Sequence, residues 1–378
     1  MTSDQKQQLY VLLPILISLI LINYRGSYPQ VETSWIWDYQ FGLIKRGLIG
    51  SLLGSWVPIS SKTVSAISLL VIVSSSLVYL YLLVQVFVTE QNSAFRLTMI
   101  LWLATIPGFI PQHTMSGGIL DLWAIPFAVI HILCTYKGWH RRVFYPEIQL
   151  VSLIFCVLIH EASVFFLGTL FFASALLDQP TLKDILRSRV TYYVFLSFIF
   201  SITLSKFTLL NYISMPDAIN YYHSVAPKVE IDEMSMKVQF TSLDENKSMG
   251  LDAMRGSGFW FYVLLYLPAF MPFYLLFFNA ARTFKQQPLM PIALIITFLV
   301  PLSLSIVATD VDRWLSMSNL ALALLTVLIY ARGKLEKTFN ANAFQYAVLF
   351  TLVYQCLIFS INSSFQTVLK LQNLLSSL

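Results

Sequence analysis

The sequence predicts an all-α, polytopic helical membrane protein with about eleven transmembrane crossings and an interfacial helix after the first span. Three observations carry that expectation. The 378 residues are 57% hydrophobic and only 11% charged, against roughly 25% charged in soluble domains. Mean hydropathy is +0.70. Apolar runs of span length recur from end to end, separated by short loops that hold most of the lysines and arginines. A single membrane domain over residues 1–378 is the natural division. A net charge of +5 dispersed over such loops gives no nucleic-acid surface. Cys134, Cys156 and Cys356 fall in or beside apolar runs without metal-ligand spacing, and imply no disulfide.

The first span is expected over about Tyr10 to Asn23, as an uncleaved signal anchor. Further spans follow at Val64–Val88, at Leu97 to about Ile110 (broken by Pro107 and Pro111), and at Ile119–Cys134. Residues 148–177 are too many for one ordinary span and too few for two, since a span needs about 20 residues. His160 and Glu161 interrupt them, so two short helices meeting there compete with one long tilted helix. Later spans are expected at Val190–Leu204, Phe259–Phe278, Met290–Ala308, Asn319–Tyr330 and Phe344–Ile361. The segment 205–258 is the one long polar connection and reads as an extracytoplasmic loop.

Charge asymmetry sets the expected topology. If residues 148–177 cross twice and the N-terminus is cytoplasmic, the inner segments hold Lys6, Arg96, Lys137, Arg141, Arg142, Lys183, Arg187, Arg189, Arg282, Lys285, Arg332, Lys334 and Lys337. That is the distribution the positive-inside rule expects. The C-terminus is then extracytoplasmic. Lys45 and Arg46 fall outside, against the trend.

Those two cations lie in the segment 35–56, WIWDYQFGLIKRGLIGSLLGSW. Gly47, Gly50 and Gly54 would form one smooth helical stripe open to another helix or a lipid chain. The flanking tryptophans suit headgroup depth. The alternative is an amphipathic connector whose charges face water.

The same topology brings Glu32, Asp38, His113, Asp121, His160, Glu161, Asp310, Asp312 and Arg313 to one face. Ionisable groups at membrane depth are costly and mark sites by default. Each also has a structural alternative: Asp121 as a helix cap, His160–Glu161 as a polar pair closing a helix break, TDVDRW as a cap with a surface pair. The carboxylates could hold a divalent cation through oxygen, but no dense ligand motif is present. No GxSxG and no Gly-rich phosphate loop occurs, which argues against a serine nucleophile and against ATP.

The acid Asp38 in the first outer loop, the interfacial helix Phe41–Trp56, the His160–Glu161 pair at an outer helix break and the DVDRW loop together resemble the GT-C class of membrane glycosyltransferases, and polysaccharide polymerases of the Wzy or EpsG kind. The resemblance is architectural. It departs from the class in spacing Glu32 and Asp38 six residues apart, where such enzymes often carry two acids close together in the first outer loop. It implies sugar transfer from a polyprenyl-phosphate donor to a glycan acceptor, in a bacterial inner membrane and without ATP. In that reading Asp38 is the base and Glu161 and His160 orient the acceptor. Lys45, Arg46 and Arg313 meet the phosphate, with His113, Asp121, Asp310 and Asp312 lining the substrate site. A flippase for a lipid-linked glycan, an acyltransferase and a non-catalytic membrane subunit remain as alternatives. The inner halves of the spans offer few polar groups beyond His131 and Gln85, which favours chemistry at one face.

Overall fold

The computed structural model describes residues 10–106, 119–306, 311–333 and 345–354, apart from 11, 15, 19, 22–23, 25, 89, 91–92, 180, 280–286 and 352–353. His113, Asp310, Pro107, Pro111, most of the expected last span and both chain termini lie outside the described residues. All regular structure among the described residues is helical. The helices are α1 (Pro29–Ile36), α2 (Leu48–Gly54), α3 (Ser61–Phe87), α4 (Ser93–Ala104), α5 (Ala124–Tyr136), α6 (Tyr145–Ile159), α7 (Ser163–Asp178), α8 (Leu182–Leu186) and α9 (Arg189–Leu204). Then come α10 (Met215–Val225), α11 (Glu233–Phe240), α12 (Leu243–Arg255), α13 (Ser257–Asn279), α14 (Leu289–Leu302) and α15 (Val311–Ala331). Residues 12–14, 16–18, 20–21 and 345–351 are helical too.

Among the described residues three helices are long and apolar enough to cross a membrane: Ser61–Phe87, Leu289–Ile306 and Arg313–Ala331. Helix length among those residues therefore gives fewer crossings than the eleven expected. The other apolar helices, such as Tyr145–Ile159 and Arg189–Leu204, are shorter than 18 residues. Polar turns end them early, as the His160–Glu161 turn ends α6.

The centre of the bundle is made by α7, α14 and α15. Leu320, Leu324 and Leu328 of α15 and Leu167, Leu170 and Ala173 of α7 are fully buried in one core. By contrast Val151 of α6 and Phe195 and Ile199 of α9 stay exposed. A contiguous exposed apolar face of this kind suits lipid rather than water.

Residues 148–177 do form two helices. His160 takes extended backbone (φ −152°, ψ 113°) and closes α6, and α7 starts at Ser163. The pair is a hairpin. His140, just before α6, lies 3.4 Å from Asp178 at the end of α7, and Arg332 after α15 reaches Asp178 at 2.7 Å. Glu90 beyond α3 accepts from Tyr330 at 2.5 Å, and Arg189 pairs with Glu147. These contacts define one end of the bundle, and the basic stretches 137–142 and 183–189 lie beside them.

At the opposite end α1, α2 and the segment 205–255 form a cap. The segment is helical (α10 to α12), where the sequence suggested an open loop. It is tied to the first loop by Asp232 N–H to Thr33 Oγ1 (2.8 Å), Ser235 Oγ to Gln30 carbonyl (2.9 Å) and Gln239 Nε2 to Lys45 carbonyl (3.0 Å).

The long interfacial helix expected over 35–56 is reduced to the seven residues of α2. Before it the chain turns repeatedly, with positive φ at Gly42 (119°) and Arg46 (63°). The expected glycine stripe faces this chain's own loop. A side chain at Gly50 would meet the Trp37 carbonyl oxygen at 2.1 Å, and one at Gly47 would meet the Tyr39 ring at 2.4 Å. Glycine is needed there for close backbone approach, not for a partner helix.

The half of the bundle away from the cap is more polar than the sequence suggested. His131 Nδ1 lies 2.9 Å from the Tyr145 hydroxyl, its Nε2 lies 3.0 Å from Ser174 Oγ, and Gln149 approaches at 3.4 Å. All four side chains are buried and bonded to one another, so they form an enclosed network.

Candidate functional site

The cap end holds a cluster of charged side chains contributed by four parts of the chain. Arg46 comes from the turn before α2. It donates through Nε to Glu161 Oε2 at 2.9 Å and through Nη2 to Oε1 at 2.7 Å. Its guanidinium lies 5.9 Å from the centre of the Trp37 ring. A two-bond fork of this kind fixes orientation as well as charge. Glu161 sits in the α6–α7 turn, and its backbone carbonyl accepts from Ser201 Oγ of α9 at 2.7 Å.

Its neighbour His160 lies with Nδ1 3.0 Å from Asp121 Oδ1. Asp121 belongs to the 3-10 turn Leu120–Trp123 that begins α5. The other oxygen of Asp121 lies 3.3 Å from Arg313 Nε in the first turn of α15. The Arg313 guanidinium is 4.5 Å from the Trp314 ring, and Trp314 packs with Ala162 and Leu304. Asp121 and His160 are 1% and 3% exposed, whereas Arg46, Glu161 and Arg313 keep 19%, 14% and 19%. The cluster thus has a closed floor and a partly open rim.

Lys45 is the most buried cation of the group, 2% exposed. Its backbone is held by the Phe207 and Gln239 contacts, and Nζ points at the Thr241 carbonyl at 3.4 Å. Burial lowers its pKa to about 8; the charge of Glu161 partly offsets that, and Arg46 adds to it.

Of the expected site residues, the structure brings Lys45, Arg46, Asp121, His160, Glu161 and Arg313 together. Asp38 stands apart. Its partners are the Gln40 N–H at 3.1 Å and the Tyr221 hydroxyl of α10 at 3.1 Å. No contact among the described residues joins it to the cluster. Burial raises its pKa, while those two hydrogen bonds work in the other direction. Glu32 is a structural acid. It accepts from Ser27 and Ser61 hydroxyls, both at 2.7 Å, and ties α1 to the start of α3. Asp312 lies in α15 beside Arg313.

No sequence signal marks Thr241, Gln239, Tyr221 or Ser201, which act here through a backbone carbonyl, a side-chain amide or single hydroxyls across long sequence separations. Asp121 and Glu161 each already face a cation. Among the described residues no three His, Cys, Asp or Glu side chains come together in a way that could hold a metal ion.

No protein-family model matches the chain, no curated protein resembles it, and no solved structure matches its fold.

Proposed function

We propose that this protein is a membrane glycosyltransferase that moves a sugar from a polyprenyl-phosphate donor to a glycan acceptor at the extracytoplasmic face of a bacterial inner membrane. The observation that carries this reading is the meeting of Lys45, Arg46 and Arg313 with Asp121, His160 and Glu161 at one end of an apolar bundle, beneath a cap. Transfer from a lipid phosphate needs cations to take up charge on the departing phosphate, and arginine forks suit its oxygens. It also needs a group that accepts the hydroxyl proton. The partly open rim at Arg46 and Arg313 is where a phosphate would be received. Asp38 and Tyr221, on the cap, would hold acceptor hydroxyls.

In this reading the apolar segments cross about eleven times, counting the short helices, with the cap outside and the N-terminus inside. The basic loops at the far end support that orientation. No nucleic acid and no ATP take part. A divalent cation would have to join the rim from solution.

Purified protein in lipid nanodiscs, given farnesyl-phosphoryl hexoses and an oligosaccharide acceptor, should release farnesyl phosphate and form a new glycosidic bond. Failure to form any such bond, with movement of the intact lipid-linked sugar between leaflets of proteoliposomes, would instead support a flippase. The enclosed network around His131 is a polar feature on the way to the other face that such a path could use.

A further inference from the structure

The cluster contains one pair whose geometry goes beyond charge neutralisation. We infer that His160 is the base that accepts the acceptor hydroxyl's proton, and that Asp121 is its positioning residue. This rests on the glycosyl-transfer reading above and replaces Asp38 in the role of base.

His160 is held from both sides by backbone. Its N–H closes the last turn of α6 on the Cys156 carbonyl at 2.8 Å, and its carbonyl accepts from Ser163 N–H at 2.9 Å as α7 begins. The ring therefore projects from a fixed point between two packed helices, as a site built on rigid elements requires. On one side Asp121 Oδ1 stands 3.0 Å from Nδ1. On Asp121's other oxygen stands Arg313 at 3.3 Å, the charge partner that a carboxylate only 1% exposed needs. A carboxylate against Nδ1 favours the tautomer protonated there, which leaves the Nε2 lone pair free to accept. Nδ1 is buried and meets Asp121 as a charge contact without hydrogen-bond geometry, and no hydrogen bond to Nε2 is found among the described residues.

The other candidates are placed less well. Both oxygens of Glu161 are occupied by Arg46. Asp38 is bonded to Gln40 and to Tyr221 of the cap. His160, in contrast, is one peptide away from the carboxylate that holds Arg46, and one carboxylate away from Arg313. A base and two phosphate-binding cations are thereby fixed within one framework, the arrangement a reacting anomeric carbon between them would need.

The step balances without a co-reactant. The acceptor O–H gives its proton to His160 Nε2, and the oxygen lone pair forms the new bond to the anomeric carbon. The bond from that carbon to the phosphate oxygen breaks, and its electron pair leaves with polyprenyl phosphate. Arg46, Arg313 and Lys45 face the charge so created, and Asp121 faces the imidazolium. Water takes the proton as product leaves. The charged groups around His160 are thus Asp121 from the 3-10 turn, Glu161 from its own turn, Arg46 from the cap loop and Arg313 from α15.

The test uses the full chain in nanodiscs with farnesyl-phosphoryl hexoses. Wild-type kcat/KM should fall with unit slope toward acid pH. His160→Gln should lower kcat by roughly 100-fold or more and abolish that acid limb, while farnesyl phosphate alone still raises its melting temperature as in wild type. His160→Asn serves if the first variant does not fold. Asp121→Asn should also lower kcat by at least about 100-fold, by favouring the wrong tautomer. A readout independent of turnover is the 15N spectrum of labelled histidines, with His160 assigned from its substitution. Its neutral form should carry the proton on Nδ1 in wild type and shift to Nε2 in Asp121→Asn. A transfer-competent wild type with an active His160→Gln, an acid limb lost only in Asp38→Asn, or a neutral His160 protonated on Nε2 would each overturn this assignment alone. A wild type that transfers no sugar would overturn the reading beneath it as well.

Discussion

Arg46 and Glu161 face each other through two nitrogens and two oxygens, at 2.7 and 2.9 Å, although 115 residues separate them. One comes from a turn with left-handed backbone (φ 63°), the other from the break between two packed helices. A non-glycine residue is held in that conformation only where its surroundings compel it. Here the fork on Glu161, the Trp37 ring and the Phe207 carbonyl bound by Lys45 N–H do so together. The pair is a direct ionic link between the cap loop and the helical bundle.

Removing one partner of that pair should therefore cost more than its surface position suggests. Glu161→Gln leaves a mostly buried guanidinium without its counter-charge, and the expected loss is on the order of 3 kcal/mol. Arg189→Ala, which breaks the exposed Arg189–Glu147 pair at 52% and 41% exposure, should cost less than about 1 kcal/mol. Melting temperatures of both variants in the same detergent decide it, and equal shifts would contradict the structural role assigned to Arg46.

The glycines of the same loop should separate sharply. An alanine methyl at Gly50 would lie 2.1 Å from the Trp37 carbonyl oxygen, which belongs to backbone and cannot swing aside. Gly50→Ala should destabilise by about 3 kcal/mol or fail to fold. At Gly54 the nearest atom is Ile59 Cδ1 at 3.9 Å, ordinary contact distance, so Gly54→Ala should fall within about 0.5 kcal/mol of wild type. Had the three glycines formed a stripe for a lipid or a partner helix, both substitutions would behave alike. Expression level and thermal midpoint compare the two.

The glycines of this loop mark a limit of what spacing in a sequence can carry. The break at His160–Glu161 was legible, because two adjacent ionisable residues interrupt an apolar run too long for one span. The common end of Asp121, His160, Glu161 and Arg313 was legible too, since lysine and arginine counts alternate with the helices. Spacing alone could not reveal that Arg46 is left-handed, that Glu32 serves two serines, or that residues 215–255 fold into helices over the first loop. Those depend on contacts made across as many as 205 residues, as between Ser235 and Gln30. The role expected of Asp38 rested on its nearness in sequence to Lys45 and Arg46, and the turns between them send it to Tyr221 instead.

Lys45 should write a pH signature on stability. Its pKa in the folded chain is about 8, lowered mainly by burial from an ordinary 10.5. Below about pH 8 both states hold the proton and the buried ammonium is a standing cost. Between about 8 and 10.5 the unfolded chain binds more protons than the folded one, so stability rises with pH at up to about 1.36 kcal/mol per unit. Tyr39, pushed up to about 12 by burial, reverses the trend above pH 10. The window to measure is therefore pH 8 to 9.5, where wild type should gain about 2 kcal/mol relative to Lys45→Met. Chemical denaturation at the two pH values gives the comparison, and parallel curves for the two proteins would place the ammonium in water.

The orientation of the bundle can be tested without any substrate. Lys183, Arg187 and Arg189 cluster near the end where His140, Asp178 and Arg332 meet, while Ser224 is exposed on the cap at the other end. If the positive-inside rule governs insertion, the first group is cytoplasmic and the cap is not. Single cysteines at Lys183 and Ser224, in a chain lacking Cys134, Cys156 and Cys356, should then react with a membrane-impermeant maleimide from opposite sides of intact cells. Ser224→Cys should label from outside and Lys183→Cys only after permeabilisation. The hairpin at His160 makes this decisive for every helix after α6, because one crossing fewer there would invert them all. Labelling of both positions from the same side would mean that the bundle does not span the membrane as a unit. Exchange of the two sides would put Arg46, Glu161 and Arg313 in the cytoplasm, and the donor phosphate would then have to arrive from that face.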